Sequence, residues 1–361
     1  MIKRIGLLTS GGDCQALNAT MRGVVKSLSN SLDELEVYGF MNGYKGLIYG
    51  DYRMLTAKDF SGILTRGGTI LGTKRQPFKM MKVIGDDNVD KVKNMKKTYQ
   101  DQKLDCLLTL GGNGTHKTSK LLADEGLNVI GLPKTIDNDL VHTDHTPGFG
   151  SAAKYVASMV REVAIDASVY DNKKSVTIVE IMGRHAGWLT AASALARKYD
   201  GDNPRLIYLP ETAFDQEAFL KKVQKMLETT PNLVVCISEG IHDKNGTFVC
   251  ELAGDIGTDT FGHKMLTGSG KYLENLVKER IGVKVRSIEL NVCQRCSSEY
   301  LSATDLNESE NAGIVGVQAA LKGETGKMIT FIRNCDFPYE LSYETADVNE
   351  ICNMEKAVPS V

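Results

Sequence analysis

Two aspartates two residues apart, Asp137 and Asp139, stand in the run Pro133-Lys134-Thr135-Ile136-Asp137-Asn138-Asp139, just beyond an apolar stretch over 128–132. Carboxylates so spaced invite a division of labour: one takes a proton from an attacking hydroxyl while the other holds a divalent cation. The competing reading is an Asx-rich turn that caps a following helix. A second candidate, Gly111-Gly112-Asn113-Gly114-Thr115-His116-Lys117-Thr118, follows the apolar run 106–110. It departs from a P-loop at one position, because His116 stands where the second glycine belongs, and that glycine lets a loop wrap a phosphate before the lysine. A Gly-rich phosphate cradle of another kind is the better account.

A third turn, Thr9-Ser10-Gly11-Gly12-Asp13-Cys14-Gln15-Ala16-Leu17-Asn18-Ala19, pairs glycines with the start of an amphipathic stretch. Its backbone can approach an anion and the helix start offers N–H groups to it, though a tight strand-to-helix turn explains the same residues. Further along stand Met182-Gly183-Arg184-His185-Ala186-Gly187, Glu239-Gly240, Arg286 and Arg295. Arginine grips phosphate as a two-pronged donor, and a carboxylate accepts from sugar hydroxyls. Nearly all of these residues fall at or beside the ends of apolar runs.

Those runs must be the elements that position them. Strands are expected at 2–8, 36–40, 106–110, 128–132, 176–181, 205–209, 233–238, 285–289 and 328–332. Helices are expected at 16–29, 117–125, 152–165, 188–197, 216–228, 272–280 and 312–321. Uninterrupted apolar strands alternating with amphipathic helices imply parallel βαβ units, so the fold class is α/β, with two doubly wound domains and mainly parallel sheets. In such sheets ligands bind beyond the carboxyl ends of strands, where the unusual turns lie. The expected division is 1–149 with part of 250–310 as one domain and 150–249 with part of 311–335 as the other. The acidic, weakly periodic stretch 336–361 is expected to be a surface tail.

A chain of 361 residues with 42% hydrophobic and 24% charged residues can bury two cores. A formal net charge of −2 argues against broad nucleic-acid binding. No apolar run reaches the ~20 residues that span a bilayer, and the N-terminus has no secretory pattern, so a cytoplasmic protein is expected. Cys106 and Cys236 lie in apolar runs and read as buried free thiols, and Cys293-Gln-Arg-Cys296 lacks a second pair for a zinc site.

Taken in order, the Leu-Thr-Ser-Gly-Gly-Asp opening, Arg66-Gly-Gly-Thr-Ile-Leu-Gly-Thr-Lys-Arg75, Gly111–Thr115, Pro133–Asp139, Met182–Gly187 and Gln294-Arg295 resemble the phosphofructokinase A family. The resemblance implies an ATP-dependent, Mg2+-requiring enzyme of glycolysis that phosphorylates fructose 6-phosphate, as a homodimer or homotetramer with shared active sites. It implies that Gly12, Arg75, Gly111, Gly112, Asn113, Gly114 and Thr115 hold the nucleotide. It gives the sugar phosphate to Thr135, Ile136, Asp137, Met182, Gly183, Arg184, Glu239 and Arg295, with Arg286 reaching in from a neighbouring subunit. Asp137 is then the base on the 1-hydroxyl, with Thr135 and Arg184 beside it in catalysis, and Asp139 and Asn113 are the metal residues.

The departures from the family pattern bear on donor and acceptor. Asn113 replaces an aspartate, and an amide is the weaker Mg2+ ligand. The pyrophosphate-using branch of the family has Asp where this chain has Gly114, because that carboxylate fills the space of the ATP α-phosphate. Lys134 points the other way: pyrophosphate enzymes carry lysine there, as do some ATP enzymes. Ser175 replaces a phosphate-binding arginine, with Lys174 beside it, and Val292 and Cys293 replace residues that touch the sugar. The family's allosteric nucleotide cluster is matched only in part, by Arg22, Lys26 and Arg53. Two rivals remain: a binding module, which has no need of both Asp137 and Asp139, and a regulatory paralogue without activity.

Overall fold

Valine, isoleucine and leucine runs buried on both faces make the central strands β1, β4, β5, β6 and β8 of this chain. A computed structural model describes residues 4–31, 36–74, 76–85, 87–169, 173–253, 268–352 and 354–359. In chain order the strands are β1 (Arg4–Thr9), β2 (Glu36–Phe40), β3 (Tyr52–Leu55), β4 (Cys106–Gly111), β5 (Val129–Pro133), β6 (Ser175–Ile181), β7 (Leu206–Tyr208), β8 (Asn232–Ser238), β9 (Lys284–Glu289), β10 (Lys327–Asp336) and β11 (Tyr339–Asp347). By contacts the chain divides into two units. The first is Met1–Ile136, Leu140–Ser151 and Arg295–Glu355; the second is Asp137–Asp139, Ala152–Gln294 and Lys356–Val361.

The first unit holds a seven-stranded sheet in the order β11-β10-β5-β4-β1-β2-β3. Pairing is parallel from β10 through β5, β4 and β1 to β2, and the edge strands β3 and β11 run antiparallel. Every residue of β4 and β5 is buried, as a sheet covered on both faces requires. Phe40, Tyr44, Leu47, Met95, Leu107 and Leu122 fill one side. From β1 the chain goes to β2 on one side and returns as β4 on the other, so the order reverses between β1 and β4. In open α/β sheets that reversal opens a crevice at the strand ends.

The second unit holds four parallel strands in the order β7-β8-β6-β9. Its core joins Val176, Ile178, Phe219, Val235, Leu273 and Val277. Here the order reverses about β6, which places the turns after β6 and β9 at the crevice position. Among the described residues no helix is long and apolar enough to cross a membrane.

Two expectations are corrected. Residues 311–335 belong with the first unit and not the second, because β10 pairs with β5: Lys327 opposes Ile130 and Met328 opposes Gly131. The stretch 336–361 is no loose tail over most of its length. Its alternating residues form β11 against β10, and Val348, Ile351 and Cys352 pack on Leu140 and Met328. All eight cysteines are free; Cys106 and Cys236 are buried, and burial pushes both thiols up to about 12.

Candidate active site

The two Gly-rich turns of the first unit sit where its sheet order reverses. Ser10 follows β1 and its N–H donates to the Leu110 carbonyl of β4 at 2.9 Å, so the turns stay side by side. Thr73 Oγ1 donates to the Gly11 carbonyl at 2.8 Å, and Thr9 Oγ1 to the Gly72 carbonyl at 2.9 Å. Asn18, buried in the helix Leu17–Ser31, donates from Nδ2 to the Arg66 carbonyl at 2.9 Å and accepts from the Ile70 N–H at 3.0 Å. These bonds hold the segment 66–74 against the Gly11-Gly12 turn. Arg75, expected to bind nucleotide, lies outside the described residues.

The helix after β4 begins at Asn113, four residues earlier than its amphipathic pattern suggests. Gly112 is its N-cap and carries no side chain; its carbonyl takes the Thr115 N–H at 2.9 Å, which leaves the Gly114 N–H at the helix start as a donor toward an anion. Thr115 Oγ1 reaches back to the Ser10 carbonyl at 3.3 Å. Gly114 is exposed, and a Cβ built there meets nothing within 4 Å. Asn113 Nδ2 donates to the Met354 carbonyl at 2.9 Å. His116, the residue that spoils a P-loop, is fully buried beneath β5, its ring filling the space beside Gly131. Burial holds its imidazole neutral, with the pKa down at about 4. It is a core residue.

Lys134 directly follows β5 and is buried, and its ammonium donates to the Gly12 carbonyl. A cation is thus fixed beside both Gly-rich turns. Thr135 and Ile136 are buried next to it; the Thr135 carbonyl accepts from Thr146 Oγ1 at 2.6 Å. Arg295, in the short helix Cys293–Cys296, is half-buried in the same unit.

In the second unit, the turns after β6 and β8 are joined. The Gly183 N–H points at Glu239 Oε1 at 3.4 Å, Ser238 Oγ donates to the Gly183 carbonyl, and the Glu239 N–H donates to the Ile181 carbonyl at 2.8 Å. Gly183 takes a φ of 143°, which favours glycine. A Cβ on Gly240 would lie 1.9 Å from the Arg184 carbonyl oxygen, so only glycine lets these turns approach. Buried Gln294 accepts from the Met182 N–H at 3.1 Å and ties the turn after β9 to the turn after β6. Asp137 and Asp139 are half-buried carboxylates flanking Asn138, which is buried with a φ of 53°.

Met182, Gly183, Arg184 and Glu239 therefore cluster, as do Gly12, the Gly111–Thr115 turn and Lys134. Arg286 joins neither cluster. It pairs with Thr177 in mid-strand, four residues short of the end of β6, and so roughly 13 Å from the turns at the strand rise. Its guanidinium is exposed and meets Asp166 at 3.2 Å. Arg286 is thus an exception among candidates expected nearly all to sit at or beside strand ends. Sequence reading quoted Asn18, Thr73 and Gln294 inside its motifs but gave them no role; each bonds to distant backbone. It missed Glu180, buried on β6, where burial and the nearby Glu239 and Glu289 carboxylates raise its pKa to about 7 against the 2.7 Å bond from the Gly270 N–H.

Comparison with known proteins adds a family to this geometry. The sequence profile described as Phosphofructokinase matches residues 4–320. The chain is 37% identical over 360 residues to a pyrophosphate–fructose 6-phosphate 1-phosphotransferase of Xanthomonas campestris, covering 97% of this chain and 84% of that one. It is 36% identical over 335 residues to ATP-dependent 6-phosphofructokinase 2 of Streptomyces coelicolor, covering 92% of each. Among solved structures, the pyrophosphate-dependent phosphofructokinase from Marinobacter aquaeolei superposes with a TM-score of 0.85 at 29% identity, over 99% of this chain and 86% of that chain.

Proposed function

Because the chain belongs to the phosphofructokinase family, we propose that it transfers the terminal phosphoryl group of ATP to the 1-hydroxyl of fructose 6-phosphate. The hydroxyl oxygen attacks phosphorus, the bond to the ADP oxygen breaks, and the hydroxyl proton leaves to the Asp137 carboxylate. Phosphoryl transfer demands positioning and charge neutralisation more than covalent chemistry. The Gly114 N–H at the start of the helix Asn113–Asp124 and the ammonium of Lys134 supply this on the donor side. Arg184 and Arg295 supply it toward phosphate, Thr135 adds a hydroxyl, and Glu239 accepts from sugar hydroxyls.

Mg2+ is a hard cation held by one or two carboxylates together with substrate phosphates. Asp139 is the protein oxygen we assign to it; Asn113 is the weaker candidate, since its amide oxygen carries no net charge. When bound, Mg2+ neutralises charge on the phosphate oxygens.

The choice of ATP rests on Gly114, whose exposed, unobstructed surface leaves room for an α-phosphate and a nucleoside. A second reading has a specific observation behind it. Buried Lys134 beside Gly12 is a ready partner for a free pyrophosphate, and relatives of both donor types match this chain equally well. Turnover of fructose 6-phosphate with ATP and with pyrophosphate, at saturating Mg2+, decides between them. Faster turnover with ATP is expected; a higher kcat/KM with pyrophosphate would overturn the donor assignment.

A further inference from the structure

The segment 356–359 lies along the Asp137–Asp139 turn and makes five contacts in the same unit. The Lys356 N–H donates to the Asp139 carbonyl at 2.8 Å, and Lys356 Nζ donates to Asn138 Oδ1 at 3.3 Å. The same ammonium sits 5.3 Å from the centre of the Trp188 ring, whose Nε1–H donates to the Lys356 carbonyl at 2.7 Å. Two residues on, the Val358 N–H donates to Glu211 Oε1 at 3.0 Å, an oxygen that also takes the Gly187 N–H at 2.8 Å.

We infer that this segment is a strap that sets the geometry of the catalytic turn, with Lys356 as its positioning residue. Asn138 is the crux. It holds a left-handed backbone with its side chain buried, a conformation that asparagine tolerates but does not strongly prefer. The Lys356 ammonium fixes the Asn138 amide from the side-chain end, and the Lys356 N–H fixes the turn at the next carbonyl. Between them they hold the Cα positions from which Asp137 and Asp139 project. Lysine suits the place because its ammonium sits over the Trp188 ring and also reaches Asn138. Lys356 touches neither substrate nor metal in this assignment; it acts through the turn. The strap also ties the turn to Gly187, so the segment 182–187 and the catalytic turn share one clamp.

The inference rests on the proposed role of Asp137, and two readouts separate its failure from the failure of that role. The first is emission from Trp188, the chain's single tryptophan, which needs no turnover. Stopping the chain after Glu355 removes the indole's hydrogen-bond acceptor and its overlying cation, and should change the Trp188 emission maximum and quenching by iodide while far-UV circular dichroism stays unchanged. The second readout is kinetic. Lys356→Met should lower kcat by about 10- to 100-fold, as small displacements of a catalytic group do. The KM for fructose 6-phosphate should move less than about threefold, and Lys356→Arg should recover most of the loss. A folded, truncated chain with wild-type Trp188 emission would overturn the strap whatever the chain catalyses. Wild-type kcat in Lys356→Met would overturn its positioning role.

Discussion

At the scale of single residues the assignments turn on what each atom can accept or admit. Asp137→Asn keeps the shape of the side chain and removes its power to take a proton. We expect kcat to fall by about 10²–10⁴ with sugar-phosphate binding largely retained, measured by initial rates and by equilibrium binding of fructose 6-phosphate. Near-normal turnover would assign the base to another group. Gly114 makes a complementary case. Because a Cβ there meets no protein atom, Gly114→Asp should fold as well as the parent, and any loss belongs to the ligand. A carboxylate over the first turn of the helix Asn113–Asp124 opposes the α-phosphate by bulk and by charge. The ratio of ATP to pyrophosphate turnover should drop at least tenfold, a discrimination of about 1.4 kcal/mol. An unchanged ratio would remove Gly114 from donor selection.

At the scale of elements, the buried parallel strands were legible because β4, β5 and β8 need apolar side chains on both faces. What could not be read was their partners. Nothing in the run of β10 says that it pairs with β5 rather than with a strand of the second unit, which is why 311–335 was misplaced. The edge strands β3 and β11 are partly exposed and carry mixed patterns that resemble loops. The turns were legible through their glycines and charges, whereas Asn18, Thr73 and Gln294 act through bonds to backbone far along the chain. Glu180 shows the same limit: one glutamate in an apolar strand looks like a solvent-facing residue until the fold buries it. Its raised pKa gives a signed prediction. In the folded chain Glu180 holds its proton up to about pH 7, and in the unfolded chain it loses it near 4.5. The folded state therefore binds more protons between those values, and stability falls as pH rises through that window. Glu180→Gln removes the effect while keeping an oxygen for the Gly270 N–H. The variant should gain at most about 3 kcal/mol over the parent at pH 8 and little at pH 4, read from urea midpoints. A gain independent of pH would show that another group titrates.

At the scale of the whole molecule, Arg286 is the residue whose proposed role one chain alone does not account for. It lies mid-strand on β9, away from the turns that carry Arg184 and Glu239, and its guanidinium faces solvent beside Asp166. An exposed pair of that kind contributes about 0.2–1 kcal/mol, little enough for a phosphate to compete for the arginine. If the arginine of one protomer completes the site of another, two dead proteins should cure each other. A protomer with Asp137→Asn still offers its Arg286, and a protomer with Arg286→Ala still offers its Asp137. In a hybrid of the two, one site has both groups intact and the other has neither. Random one-to-one reassembly makes half of the neighbouring pairs hybrid, so about a quarter of all sites should regain full activity. The fraction is the same for a dimer or a tetramer, provided each site draws on one neighbour. Each variant alone should stay depressed, Asp137→Asn in kcat and Arg286→Ala in KM for fructose 6-phosphate by roughly a hundredfold at the strong end of charge-assisted pairing. The restored fraction should show the wild-type KM, because a completed site is a native one. If the arginine served its own chain, every site in the mixture would carry a lesion, and verified hybrids would be no more active than the average of their parents.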